Sequence, residues 1–151
     1  MLRDRFAAIP PGKTRILVTH HPLYAMPISE ADQLSEAVGR HRDAVDAVSK
    51  AGVHLALAGY FHRTYARAAQ KMVEEAGSVL VMQAGTATST RLRNDELQSF
   101  NWIHACRNDD VELQVIAWDG SKFRRASHER FIHDGACWSS QTVVDTPGMT
   151  E

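Results

Sequence analysis

Apolar residues along this chain form short uninterrupted runs in its first part and alternate with polar ones further on. Residues 15–22 read RILVTHHP and residues 55–62 read LALAGYFH, two runs of strand length that each end in histidine. An apolar run without polar alternation predicts a strand buried on both faces, as in a parallel sheet. Ile16, Leu17 and Val18 form the first such strand and residues 53–58 the second. Between them Leu34, Ala37, Val38, Ala44, Val45 and Val48 recur close to helical spacing across residues 31–50. Ser29 can cap that helix, Gly39 interrupts its pattern, and Gly52 is placed to end it. Strand, helix and strand in this order predict a right-handed βαβ crossover.

The remaining pattern is different. Residues 2–8 read as the last turns of a helix, stopped by Pro10, Pro11 and Gly12. Residues 65–77 read as irregular or a short helix, and residues 78–84 as a strong strand. Residues 100–105 and 111–118 predict a hairpin turning at Asn108, Asp109 and Asp110, with a further strand over 123–131. From Gly135 the chain is rich in Ser, Thr, Gly and Pro and reads as a loose tail. The expectation is one α/β domain over residues 1–134, with a βαβ unit followed by mainly antiparallel strands, and a tail over 135–151.

Charge and cysteine usage narrow the partners. A net charge of -1 over 151 residues gives no long-range attraction to nucleic acid or an acidic membrane surface, so neither partner is expected. No apolar stretch approaches the roughly 20 residues that span a bilayer, and the polar start MLRDRFAAIPPGK does not fit a secretory signal. Cys106 and Cys137 lack CxxC spacing and read as reduced thiols. A cytoplasmic location is the expectation.

Candidate chemistry sits at the ends of the two apolar runs. Functional groups in open α/β sheets collect at the carboxyl ends of strands, where His20 stands. His62 follows Gly59 at the end of the second run. Imidazole binds metal at neutral pH without a costly deprotonation, so two such residues from neighbouring strands can converge on one ion. A loop histidine bonded to a backbone carbonyl produces the same pattern. His41, His54, His104, His128 and His133 read as structural. The stretch QAGTATSTRLR, residues 83–93, gathers Thr86, Thr88, Ser89 and Thr90 before Arg91 and Arg93. Hydroxyls and guanidinium forks suit a phosphate ester, though a polar surface loop has the same composition. Asn101 suits a β-turn or a hairpin edge.

With those residues in view, ILVTHHPL followed by LALAGYFH resembles the C-terminal half of calcineurin-like metallophosphoesterases, which carry HHP at a strand end and then a GHxH motif. VMQAGTATSTRLR with SFNWI resembles the segment that follows GHxH in a bacterial branch of the family. The likeness runs from about Arg15 to Phe123. It implies half of an α/β/β/α sandwich and hydrolysis of a phosphomonoester or phosphodiester by two divalent ions, Mn, Fe or Zn. It also implies that His20 and His62 are metal ligands and that His21 touches phosphate or supports a ligand. Arg91 and Arg93 would hold a small phosphate-ester substrate.

Two departures from the family pattern matter. Tyr60 stands where the first histidine of GHxH belongs, and a neutral phenol is a poor ligand. The motifs DxH, GD and GNH, which supply the family's other ligands, do not occur in this sequence. The resemblance therefore implies a partial domain, weak or inactive alone, with a sheet face or edge left uncovered for self-association or a complementing chain. The competing expectation is a degenerate, non-catalytic domain that binds a partner through that sheet.

Overall fold

The computed structural model describes residues 2–23, 40–59, 65–68, 79–89 and 97–144. Among these residues two helices, α1 (Leu2–Ala7) and α2 (His41–Lys50), accompany eight strands in two sheets. The first sheet holds β1 (Ile16–Thr19), β2 (Leu55–Ala58), β3 (Tyr65–Ala68) and β4 (Leu80–Gln83) in the order β1-β2-β4-β3. The strands β1, β2 and β4 are parallel and β3 runs antiparallel to β4. The second sheet is an antiparallel meander of β5 (Ser99–Arg107), β6 (Asp110–Trp118), β7 (Phe123–His133) and β8 (Trp138–Thr142). The chain is thus a mixed α/β protein with one mainly parallel and one antiparallel sheet.

The first sheet lies between two apolar layers. On one face Ala56, Val79 and Val81 meet Phe6 of α1 and Val45 and Val48 of α2. On the other, Leu55, Leu80 and Met82 meet Val111, Leu113, Phe131 and Trp138 of the second sheet. Burial on both faces accounts for the uninterrupted apolar runs of β2 and β4. It does not extend to β1. Ile16 and Val18 share the face of Leu55 and Leu57 in register, yet they are 43% and 72% exposed, because the second sheet stops short of this edge. The expectation of a β1 buried on both faces holds only toward the helices, where Leu17 packs.

Local chemistry sets the ends of the elements. At the end of α2 Gly52 has a φ of +70°, its N–H donates to the Ser49 carbonyl at 2.8 Å, and Val53 N–H donates to the Val48 carbonyl at 3.3 Å. This pair of bonds is a Schellman cap, the role read for Gly52 from its position. A Cβ at Gly52 would also stand 3.0 Å from the Arg15 guanidinium. Two aspartate–glycine pairs make the later turns. Asp119 Oδ1 accepts from the backbone N–H groups of Ser121 and Lys122 at 2.9 Å each, with Gly120 at φ +98°. Asp134 Oδ1 accepts from Ala136 and Cys137 at 2.8 Å each, with Gly135 at φ +101°. Short aspartate side chains capping their own turns leave both carboxyls below the usual carboxylate range.

Two expectations change. Within residues 65–77, read as irregular or a short helix, Tyr65–Ala68 is the edge strand β3, held by pairing with β4. The tail from Gly135 is not loose throughout: Trp138–Thr142 pairs with β7, and Trp138 is 2% exposed in the core between the sheets. Of the helix expected over 31–50, α2 begins at His41, after Arg40 at φ +61°, and residues 31–39 lie outside the described residues. Among the described residues no helix is long and apolar enough to cross a membrane.

Two measurements check this packing. Trp138→Ala removes a buried anchor and is expected to cost about 3–5 kcal/mol in denaturant unfolding, against almost nothing for a free tail. His54 lies just before β2, and its Nδ1 accepts the Arg15 backbone N–H at 2.9 Å. Burial, then the Arg15 guanidinium and then His133 push its pKa below the ordinary 6.5. The unfolded chain therefore binds this proton more readily, so His54 leaves stability unreduced above pH 6.5 and lowers it as pH falls below that value. His54→Asn keeps an acceptor and should flatten that decline in unfolding midpoint.

Candidate functional site

The parallel strands end level with one another. Thr19, Ala58 and Gln83 are register partners across β1, β2 and β4, and the chain leaves the sheet at His20, Gly59 and Ala84. This is the rim where an open α/β sheet places its functional groups. His20 and His21 stand there, both exposed. Their rings meet edge to face with centroids 4.8 Å apart and planes at 84°. The turn that carries them is fixed on both sides. Thr19 Oγ1 donates to the His21 carbonyl at 2.8 Å, and Pro22 and Leu23 are buried. A strand behind and an apolar anchor ahead leave the imidazoles little choice but the surface.

The end of β4 is tied to the second sheet. Asn101 of β5 donates from Nδ2 to the Gln83 carbonyl at 3.1 Å, and Gln83 itself is 2% exposed. Asn101 Oδ1 is buried without a hydrogen-bond partner among the described residues. Beyond Gln83, Ala84 N–H extends the ladder to the Ala58 carbonyl at 2.9 Å. Thr86 then serves the loop on both its oxygens: its carbonyl accepts Ser99 N–H at 2.8 Å and its Oγ1 accepts Ser89 N–H at 3.2 Å. Thr86, read as one of four hydroxyls for phosphate, is thus engaged by the backbone. Asn101, read as a turn or hairpin-edge residue, bonds instead across the two sheets. Nothing in β5 alone could signal that role, because it depends on which strand end β5 crosses.

At Gly59 φ is not positive, and a Cβ there would meet nothing within 4 Å, so no sharp turn demands glycine. Tyr60, His62, Thr90, Arg91 and Arg93 lie outside the described residues. Two strand spacings separate His20 from the Gln83 end, about 10 Å at the usual interval, too far for direct contact between backbones. Among the described residues no group of three or more His, Cys, Asp or Glu side chains gathers in a way that could hold a metal ion. These residues alone do not fit a two-metal centre. What they offer is a pair of rim imidazoles able to donate to an ion or carry a proton.

The sequence matches no family model, and no curated protein matches it. Among solved structures it is similar to a crystal structure of a Vps29 single mutant from Entamoeba histolytica, with 16% identity and a TM-score of 0.47. That match covers 83% of this chain, which spans 59% of the length of the other.

The Asn101 tie has a direct check. Asn101→Ala should lower unfolding free energy by about 1–2 kcal/mol. Asn101→Asp turns an oxygen toward the Gln83 carbonyl and should cost more at neutral pH than in acid, where the carboxyl regains a donor.

Proposed function

We propose that this chain is a calcineurin-like phosphoric ester hydrolase domain whose centre is completed by polypeptide added along the open edge of β1. One observation carries this reading: the strand that delivers His20 to the rim is also the strand whose outer edge is unpaired among the described residues and whose Ile16 and Val18 are exposed. The motif order HHP, GYFH and SFNW and the helix–sheet–sheet layering support the same class. His20 and His62 would donate to divalent Mn, Fe or Zn, with Tyr60 at a third ligand position and the other donors supplied at the β1 edge. Arg91 and Arg93 would hold the phosphate ester and His21 would support it.

A second reading, a non-catalytic domain that binds a partner chain through its sheet, is favoured by the same bare edge and by Tyr60. An exposed strand edge invites pairing by another strand unless charge or proline blocks it.

The purified chain, alone and with added partner material, is assayed with p-nitrophenyl phosphate and bis-p-nitrophenyl phosphate in Mn²⁺, with bound metal measured directly. On the hydrolase reading, His20→Ala and His62→Ala each lower hydrolysis by about a hundredfold or more, and Tyr60→His increases bound metal. Hydrolysis indifferent to both histidine changes sinks this reading. Absent metal and hydrolysis, together with association abolished by Val18→Lys, establish the second.

A further inference from the structure

The outer face of the second sheet carries an aromatic cluster for which the rim histidines have no use. Phe123, at the start of β7, stands with its ring centroid 5.3 Å from that of Phe100 and 5.3 Å from that of Trp118, at interplanar angles of 62° and 65°. Strand register assembles it, since Trp118 of β6 pairs with Phe123 and Phe100 of β5 pairs with the nearby Ile116. Three aromatic rings in edge contact usually make a closed core. Here Phe123 is 40% exposed, and beside it lies an open groove of about 250 Å³ lined by Ala87, Thr88, Gln98, Trp118 and Phe123.

The walls of this groove are held by the backbone. Trp118 N–H donates to the Gln98 carbonyl at 2.8 Å, and Ser99 N–H donates to the Thr86 carbonyl at 2.8 Å. The turn before Phe123 is closed on Asp119, which accepts from Ser121 and Lys122 and pairs with Arg124. A site held this way loses little freedom when a ligand enters. Its volume falls below the range of roughly 300–1,000 Å³ typical of drug-sized ligands, which points to a single ring system.

The lining chemistry narrows the ring. Trp118 and Phe123 offer apolar faces and edges to a flat partner. The amide of half-buried Gln98 and the hydroxyl of exposed Thr88 add polar groups to this lining. A primary amide presents a donor and an acceptor side by side, the complement of the donor–acceptor edge of adenine. We propose that this groove binds the planar base of an adenine nucleoside or nucleotide, stacked against Trp118 and Phe123 and read along its edge by Gln98. The inference concerns binding and does not depend on ester hydrolysis.

The test follows the Trp118 indole N–H and the backbone amides of Thr88 and Gln98 by NMR as adenosine is added to the full chain, with ribose and indole as controls. Adenosine is expected to shift these resonances saturably and ribose to leave them in place. Gln98→Met, which keeps the side chain's length and removes its hydrogen bonds, should weaken adenosine about tenfold. Phe123→Leu, which keeps an apolar side chain and removes the ring, should do likewise. No saturable shift with millimolar adenosine overturns the proposal. So does adenosine affinity unchanged in Gln98→Met, or indole binding as tightly as adenosine.

Discussion

The whole arrangement depends on the double-sided burial of β2 and β4. Leu55 and Leu80 are 0% exposed and Met82 1%, against a second sheet, while Ala56 and Val81 are 4% exposed against the helices. A strand in this position has its backbone groups paired sideways and its side chains paired above and below. Neither layer can leave without exposing a continuous apolar strip, at about 25 cal/mol for each Å² uncovered. Everything functional hangs from this pair. The rim is level because β1, β2 and β4 share one register, and Asn101 can reach the Gln83 carbonyl because the second sheet is clamped to the same strip.

That constraint also explains what the sequence made visible. β2 and β4 were legible because double burial removes polar residues from both faces, and Gly52 was legible because only glycine suits both the left-handed cap and the close Arg15 guanidinium. β3 was hidden: YARA has no apolar run, and it is a strand because β4 offers it an edge, a tertiary preference that local propensity does not record. β8 was hidden similarly, since WSSQT looks like loop composition and a single tryptophan carries its burial. At the rim, the HHP turn was legible from its position after an apolar run. The work of Asn101 and Thr86 was not, because both act on backbone atoms far away in sequence.

The turns show the same division between local and distant causes. Asp119–Gly120 and Asp134–Gly135 are closed by an aspartate accepting two backbone N–H groups two and three residues ahead, with glycine at positive φ between. Such chemistry is fully local. It sets where β6 hands over to β7 and β7 to β8, and so decides that Phe123 lies opposite Trp118 and that Trp138 enters the core. A local rule thus fixes the partners of two distant aromatic contacts.

β1 is where the constraint runs out. Its neighbour β2, and β4 beyond it, are covered on both faces, but Ile16 and Val18, on the same face as Leu55 and Leu57, lie beyond the reach of the second sheet. Backbone polar groups alternate along a strand, and those of Arg15 and Leu17 face β2, so those of Ile16 and Val18 face outward together with their exposed side chains. An edge strand with two exposed apolar side chains therefore also leads into the rim imidazoles. A strand added there would bury Val18, pair the free edge and bring its own end level with His20. On the proposed hydrolase reading, covering the edge and adding donors beside His20 would be one structural event.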